Sequence, residues 1–318
     1  MHESLGDPSG RAVLVDVTDQ PSDQRATDAL GRAVALERLR SLPAVVVARV
    51  DSDPHAPEWA DVVVHDDVTA AAVLATVRDH PRAATALAIL LRSSASRSIA
   101  DGLVAESTTY GLLQAGPEFA EWRATRPPRD RPDEVGPPVL VAREGDELHV
   151  TLNRPHVRNA LDHTMRDALV EALALARLDP SIRAIRLDGS GPDFCAGGDL
   201  DEFGTRPDPV TAHLVRLQRN LGRAFAEVAD RLSTHLHGAA VGSGIELAAF
   251  GDHVVAAPDT RIALPEVRLG LIPGAGGTVS LPRRIGRHAT LLLALGPGSI
   301  DADTALRWGL VDEIAEQS

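Results

Sequence analysis

The stretch HGAAVGSGIELAAFGDH, residues 237–253, places bare backbone and a carboxylate inside an apolar run. Gly242, Ser243 and Gly244 interrupt the run, and Glu246 follows before apolar residues resume. The pattern predicts a strand and then a helix that begins near Gly244. Amide N–H groups in the first turn of a helix have no partner within it, so they point at whatever lies in front. The stretch therefore predicts backbone donors beside an acid, which suits a ligand oxygen that develops negative charge.

A second loop of small residues, PDFCAGGDL at 192–200, also follows a predicted strand. No bulky side chain lies between Ala196 and Gly198, so the backbone amides there can approach a ligand closely. Donors from two separate loops would form an oxyanion hole, in which losing one donor typically costs about 3–4 kcal/mol of transition-state stabilisation.

A second acid, Glu266, lies in RIALPEVRLGLIPGAGGT at 261–278. Two carboxylates at one ligand could hold a water molecule and divide acid and base work, because burial and mutual repulsion raise at least one pKa. The residues alone leave structural alternatives open. Glu246 could compensate the helix dipole, and Glu266, which follows a proline, could cap a turn.

The composition favours buried parallel strands covered by helices and excludes several functions. Only 3% of the 318 residues are aromatic, so Val, Leu, Ala and Ile must fill the core. A net charge of −13 argues against partners such as nucleic acid or anionic membranes. All 32 basic residues are arginine, which excludes lysine Schiff-base chemistry. The single cysteine, Cys195, permits no internal disulfide and is expected in the core.

The start, MHESLGDPSGR, lacks the pattern of a secretion signal, and no apolar run is long enough to span a membrane. A cytoplasmic protein is therefore expected.

Proline and charge concentrate in RPPRDRPDEVGPP at 126–138, which predicts a linker between two domains. The first domain, 1–125, is predicted to be α/β with a helical end. The second, 139–318, alternates strands and helices, which predicts a parallel sheet with crossover connections. The predicted strands are 12–17, 43–50, 61–66, 148–155, 182–189, 236–242 and 253–257, and the predicted helices are 23–40, 68–79, 82–92, 97–123, 161–179 and 210–232.

Over about residues 140–315, the chain resembles the crotonase family, also called the enoyl-CoA hydratase/isomerase family. The ordered motifs that carry the resemblance are LNRPHVRNAL (152–161), FCAGGDL (194–200), HGAAVGSGIELA (237–248), PEVRLGLIPGAGGT (265–278), LPRRIG (281–286) and ALRWGLVDEI (305–314). The resemblance implies an α/β fold, a crotonase-like spiral of ββα units, preceded here by a smaller α/β and helical domain. It also implies an acyl-CoA substrate with no separate cofactor and no metal, and a homo-oligomer, either a trimer or a hexamer.

Roles for the site residues follow from the same resemblance. The N–H groups of Gly198 and Ser243 would form the oxyanion hole, and Ser243 stands where the family usually has glycine, a change that keeps the backbone donor. Glu246 and Glu266 fall on the two catalytic glutamates of the hydratases. The implied reaction is syn addition of water to a trans-2-enoyl-CoA, in which Glu246 activates the water and Glu266 supplies the proton to the α carbon.

The resemblance also implies contacts with coenzyme A. Arg158 is the candidate for a phosphate, because a guanidinium matches phosphate oxygens. The remaining candidates, for the adenine or pantetheine end, are Ala196, Gly197, Asp199 and Leu200. Arg154 is expected to form a structural salt bridge, and His237 a structural hydrogen bond.

The ends of the chain depart from the family pattern. Relatives normally continue past GLVDEI into helices that cover the site, whereas this sequence stops at Ser318 and carries an extension in front. The helices at 97–123 are expected to dock where those final helices belong, in the same chain or a neighbour, and 1–125 to be a degenerate crotonase-like unit. An unrelated α/β domain is the alternative. Alternative functions are enoyl-CoA isomerisation, hydrolysis or decarboxylation of a related thioester, and a catalytically weak CoA-binding subunit.

Overall fold

The computed structural model describes residues 11–16, 42–50, 57–126, 136–205 and 208–315, so the helix predicted at 23–40 and most of the predicted linker lie outside the described residues. The strands are β1 Arg11–Asp16, β2 Ala44–Arg49, β3 Val62–Val64, β4 Val139–Glu144, β5 Glu147–Leu152, β6 Ala184–Gly189, β7 Leu232–Leu236, β8 Ala239–Val241, β9 His253–Ala256, β10 Arg261–Ala263, β11 Ser299–Asp301 and β12 Glu313–Ile314. The helices are α1 Asp67–Asp79, α2 Pro81–Arg92, α3 Ile99–Gln114, α4 Pro117–Ala124, α5 His163–Leu178, α6 Pro209–Gln218, α7 Leu221–Ala226, α8 Ser243–Ala248, α9 Gly277–Leu295 and α10 Ala302–Trp308.

The main sheet has six strands in the order β12-β9-β7-β6-β5-β4. Neighbouring strands are parallel except for the β4–β5 hairpin, so the predicted parallel sheet with crossovers is confirmed. Side chains alternate across β5, where Leu148, Val150 and Leu152 are buried. Helix α5 buries an apolar stripe that includes Met165 and Leu169. Its N-cap is Asp162, whose side chain accepts the N–H of Met165.

The strand predicted at 236–242 is confirmed only as the shorter β8, Ala239–Val241, because the chain changes sheets within the predicted range. β7 ends at Leu236, and β8 belongs to a second sheet with the order β11-β10-β8. The change occurs at Gly238, whose φ of 52° lies in the left-handed region and whose missing Cβ leaves room for the carbonyl oxygen of Pro192. This turn carries the following residues out of the main sheet and toward the site.

The single helix predicted at 210–232 is also wrong, because α6 ends at Gln218 and α7 begins at Leu221. Asn220 lies between them, and its side chain accepts the N–H of Arg223 at 2.8 Å, which makes it the N-cap of α7. The helix predicted at 97–123 is likewise divided into α3 and α4. Gly116 precedes Pro117 there, and proline is favoured in the first turn of a new helix.

The N-terminal part contains a parallel three-stranded sheet, β1-β2-β3, and helices α1 to α4, which confirms a smaller α/β and helical unit. A buried ion pair joins Arg92 on α2 to Asp61 at 2.7 Å. Helix α3 packs on α9, and a Cβ at Gly102 would lie 2.8 Å from a methyl carbon of Val279, so only glycine permits this approach. None of the described helices combines the length and apolar character needed to cross a lipid bilayer.

Candidate active site

The two glycine loops lie side by side through backbone hydrogen bonds. Cys195 donates its N–H to the carbonyl of Ala239, and Val241 donates to the carbonyl of Cys195, both at 2.9 Å. Gly197 has a φ of 98°, and a Cβ there would lie 3.2 Å from the Val241 carbonyl oxygen. The loops therefore meet backbone to backbone, which requires small residues at the contact.

The residues predicted for catalysis share one cavity. A cavity of about 380 Å³ is lined by Gly198, Ser243, Glu246 and Glu266. Within the described part of the chain, the N–H groups of Gly198 and Ser243 donate to no protein acceptor. Two residues with unbonded backbone N–H groups and two residues with carboxylic acids therefore line the same cavity.

Glu246 is buried in the first turn of α8. Its Oε2 accepts the N–H groups of Ala275 at 2.7 Å and Gly277 at 2.9 Å. Burial raises the pKa of Glu246 to about 7, and these N–H groups act in the opposite direction because they stabilise the carboxylate. Gly277 is needed for this contact, since a Cβ there would lie 2.8 Å from Oε2. The acid is therefore balanced between its two protonation states near neutral pH.

Glu266 is buried in the short 3-10 turn Glu266–Leu269. Burial and then the negative charge of Glu246 raise the pKa of Glu266 well above its ordinary value. Its Oε2 has no hydrogen-bond partner among the described residues. When Glu246 is ionised, Glu266 is thus the acid that holds its proton, and one of its oxygens has no hydrogen-bond partner among the described residues.

A third buried carboxylate, Glu106, comes from α3 and escaped the sequence analysis. Its Oε1 accepts the N–H of Gly276 at 2.8 Å, while its Oε2 accepts the N–H and hydroxyl of Thr278 at 2.9 and 2.8 Å. Burial and the charge of Glu246 raise the pKa of Glu106 to about 8. Glu106 therefore fixes the start of α9, beside the amides that hold Glu246. The glycines of α3 were the available signal, because they mark a helix that approaches another element closely.

The same helix contributes a wall of the cavity. Tyr110 and Gln114 on α3 line it, together with Arg216 on α6. A Cβ at Gly274 would lie 2.6 Å from the Tyr110 ring, and the Arg216 guanidinium carbon lies 4.7 Å from the ring centroid. The helices predicted at 97–123 thus lie beside the acids of their own chain. The relation of 1–125 to a degenerate crotonase-like unit stays a prediction.

The coenzyme A candidates are placed differently from the acids. Asp199 lines the cavity, whereas Arg158 and its companions Ala196, Gly197 and Leu200 lie outside the lining. The Arg158 side chain is 61% exposed and forms a two-point ion pair with Asp193, with nitrogen–oxygen distances of 2.5 and 3.0 Å. An exposed guanidinium at the edge of the glycine loop remains accessible to a phosphate.

Three structural expectations are confirmed. Arg154 is buried and pairs with Asp162 at 3.2 Å and with Asp199 at 3.5 Å. The His237 ring lies 3.1 Å from the carbonyl oxygen of Gly191. Cys195 is buried, as expected of a core residue, and its burial raises the pKa of the thiol to about 11.

One group of side chains near the cavity has atoms close enough together to hold a metal ion, namely Asp162, His163 and Glu202. Each already has a protein partner. Glu202 pairs with the His163 ring and also accepts the backbone N–H of His163 at 2.9 Å. Asp162 caps α5 and pairs with Arg154. These contacts account for the cluster without a cation.

Comparison with known proteins identifies the class. Residues 145–318 match the sequence model of the enoyl-CoA hydratase/isomerase family, and the match covers more than half of the chain. The chain therefore belongs to the enoyl-CoA hydratase/isomerase family. Similar solved structures have the crotonase fold, which confirms the predicted fold. One is an enoyl-CoA hydratase from Thermoplasma volcanium, with a TM-score of 0.53 and 32% identity over 57% of this chain and 73% of that one.

Relatives within the family have differing activities. The chain is 37% identical to the 2,3-dehydroadipyl-CoA hydratase of Escherichia coli over 176 residues, which are 55% of this chain and 68% of the relative. It is 36% identical to the 1,2-epoxyphenylacetyl-CoA isomerase of the same organism over 183 residues, 56% of this chain and 70% of the relative. The comparisons thus indicate an enzyme that processes acyl-CoA thioesters.

Proposed function

We propose that this chain is an enoyl-CoA hydratase that adds water syn to a trans-2-enoyl-CoA thioester. One observation carries the proposal: two buried acids with raised pKa line the same cavity as two unbonded backbone amides. A hydratase needs a base for water, an acid for carbon and donors for the thioester oxygen, and these four groups match that requirement.

The proposed step begins when the thioester oxygen accepts hydrogen bonds from the N–H groups of Gly198 and Ser243. These donors stabilise the negative charge that develops on the oxygen and make C3 electrophilic. Ionised Glu246 takes a proton from water as the water oxygen forms a bond to C3. The π electrons of the C2=C3 bond form a new C2–H bond with the proton of Glu266. Solvent then returns the proton from Glu246 to Glu266.

The assignment of base and acid follows from the surroundings of each carboxyl group. Glu246 accepts two backbone N–H groups, which favour its charged form. Glu266 has no such donor on Oε2, and the nearby charge of Glu246 favours its protonated form. The two groups therefore start the reaction in opposite protonation states.

The test follows the loss of conjugated-thioester absorbance when the protein is mixed with crotonyl-CoA. Glu246→Gln and Glu266→Gln should each lower kcat by about 10²–10⁴-fold, the usual contribution of a general acid or base. Glu171→Gln, an exposed glutamate on α5, is the control and should keep full activity. Hydration that survives both active-site substitutions would refute the proposal.

Isomerisation is the second candidate, favoured by the identity to the 1,2-epoxyphenylacetyl-CoA isomerase. Moving a double bond from C3 to C2 needs one acid that removes and returns a proton. A 3-enoyl-CoA turned over by one of the two variants, without hydration of crotonyl-CoA, would select it. Retained CoA affinity without turnover of either substrate would instead select a binding subunit.

The assembly and compartment belong to the same proposal. We expect a trimer or hexamer in the cytoplasm, and light scattering of the purified chain measures the number of copies directly.

A further inference from the structure

Arg216 is a partly buried cation in the cavity wall, and its hydrogen-bond partners are all neutral. Its Nε donates to the Ser107 hydroxyl at 3.1 Å, Nη1 to the Gln114 side-chain oxygen at 3.1 Å, and Nη2 to the Ser107 carbonyl at 3.3 Å. Among the described residues, no carboxylate lies within ion-pairing distance of this guanidinium. The nearest acidic influence is the charge of Glu106, which is itself bonded to the start of α9.

Other charged side chains that line the cavity outside the catalytic pair have a partner of opposite charge. The pairs are Asp162 and Asp199 with Arg154, Arg166 with Asp167, and Glu202 with His163. Arg216 therefore differs from them, since burial lowers its pKa and no described anion compensates the charge.

The guanidinium is held in place and has unused donors. It lies over the Tyr110 ring, and the ring in turn packs against Gly274. A guanidinium has five N–H donors, of which three are used here, leaving one hydrogen on each terminal nitrogen. Two such hydrogens match the two oxygens of a carboxylate.

We infer that Arg216 receives an anionic group at the far end of the acyl chain, so that the preferred substrates are acyl-CoA thioesters whose chain ends in a carboxylate. The inference rests on the proposed function, which places the thioester carbonyl at Gly198 and Ser243 in the same cavity. Tyr110 and Arg216 line the same cavity as those two donors, so the proposal places the far end of the acyl chain against this wall. The partly buried guanidinium thereby gains an anionic partner, which the described residues do not supply.

The experiment measures the dissociation constants of saturated acyl-CoA thioesters by calorimetry. Adipyl-CoA and suberyl-CoA, which end in a carboxylate, are compared with hexanoyl-CoA and octanoyl-CoA, which end in a methyl group. Wild-type protein should bind the carboxylate at one chain length at least about tenfold more tightly than its neutral counterpart, as expected for a charge-assisted two-point contact. If the wild-type protein binds the carboxylate-terminated thioester equally or more weakly at both chain lengths, that result alone overturns the inference.

Variants assign the preference to the side chain. Arg216→Gln should abolish the preference while changing the affinity for the neutral thioesters by less than about threefold, and Arg216→Lys should retain part of it. The control is Arg219→Gln, which removes the same charge from an exposed position three residues later and should keep the preference. A preference that persists in Arg216→Gln, or one lost in Arg219→Gln, would contradict the assignment.

Failure of this inference is distinguishable from failure of the proposed function. Saturated thioesters have no double bond to hydrate, so their affinities do not depend on turnover. Hydration of crotonyl-CoA without a carboxylate preference would refute the role of Arg216 and leave the hydratase intact. A carboxylate preference without hydration would refute the hydratase and keep the ligand class.

Discussion

Replacing Glu106 with glutamine tests whether α3 supports the acid site through a buried carboxylate. The side chain accepts three hydrogen bonds, one at Oε1 and two at Oε2. If the glutamine oxygen occupies the Oε2 position, it keeps the two hydrogen bonds from Thr278. The NH₂ group then faces the N–H of Gly276, so two donors meet without an acceptor. A buried donor left without an acceptor costs about 1–3 kcal/mol.

The pH dependence gives a second, opposite effect. The pKa of Glu106 in the folded chain is about 8, against an ordinary value of 4.5. Because the folded pKa is raised, the group contributes stability that is complete below about pH 4.5 and is lost as the pH rises through about 8. The difference between the two pKa values corresponds to on the order of 5 kcal/mol. Glutamine does not titrate, so the variant lacks this loss.

The assay is urea unfolding, followed by circular dichroism, at about pH 5 and about pH 9. At the lower pH, Glu106→Gln should reduce the free energy of unfolding by about 1–3 kcal/mol. At the higher pH, the order should reverse, because only the wild-type protein must bury an ionised Glu106. The control Glu121→Gln, at an exposed position on α4, should change stability by less than about 0.5 kcal/mol at both pH values. Equal loss of stability with pH in wild type and Glu106→Gln would refute the reasoning.

Further predictions concern the site and the N-terminal unit. Gly242→Ala should lower crotonyl-CoA hydration by about a hundredfold, because Gly242 has a φ of 51° and a Cβ there would collide with Glu266 Oε1; unchanged kinetics would contradict this. The value of kcat/KM should fall as the pH decreases through about 7, where Glu246 takes up a proton; a flat profile would argue against Glu246 as the base. Arg92→Met should cost about 3 kcal/mol in urea unfolding, because it removes the nearer of the two cationic partners of buried Asp61 and leaves only Arg287 at 3.7 Å; no measurable loss would show that the pair is dispensable.

The sequence predicted the helices and strands whose buried residues recur at the spacing of a helix or a strand. The stripe of α5, with Met165 and Leu169, identified that helix, and the apolar alternation of β5 identified a central strand. Glu246 was found because the small residues beside it mark backbone that meets another group, whereas Glu266 was found as a second acid in a motif that resembles the family. Gly242 and Gly277 are such residues, since a side chain at either position would displace a carboxylate.

The boundaries between helices and strands were harder to predict. The turn at Gly238 depends on a contact with a residue that is distant in the sequence. At the Gly238 turn, a Cβ would collide with the carbonyl oxygen of Pro192. The apolar run 236–242 gives no indication that Pro192 lies there. The break at Asn220 was readable in principle, since asparagine inside an apparent helix often caps a new one.

The contribution of α3 to the site could not be predicted from local patterns. Glu106 contacts Gly276, which lies 170 residues away in the sequence, and only the tertiary structure brings them together. Tyr110 reaches Gly274 in the same way, and Arg216 reaches the cavity because α6 packs on α3. Periodicity shows that a residue is buried on a helix face but not which element covers it.

The proposed reaction depends most directly on where the thioester carbonyl binds. A crystal structure with butyryl-CoA, a saturated thioester that cannot be hydrated, would show that position. The predicted result is a carbonyl oxygen within about 3.2 Å of the amide nitrogens of both Gly198 and Ser243, with C3 facing Glu246 and C2 facing Glu266. A carbonyl bound away from these amides, with both acids remote from the acyl chain, would contradict the proposed reaction.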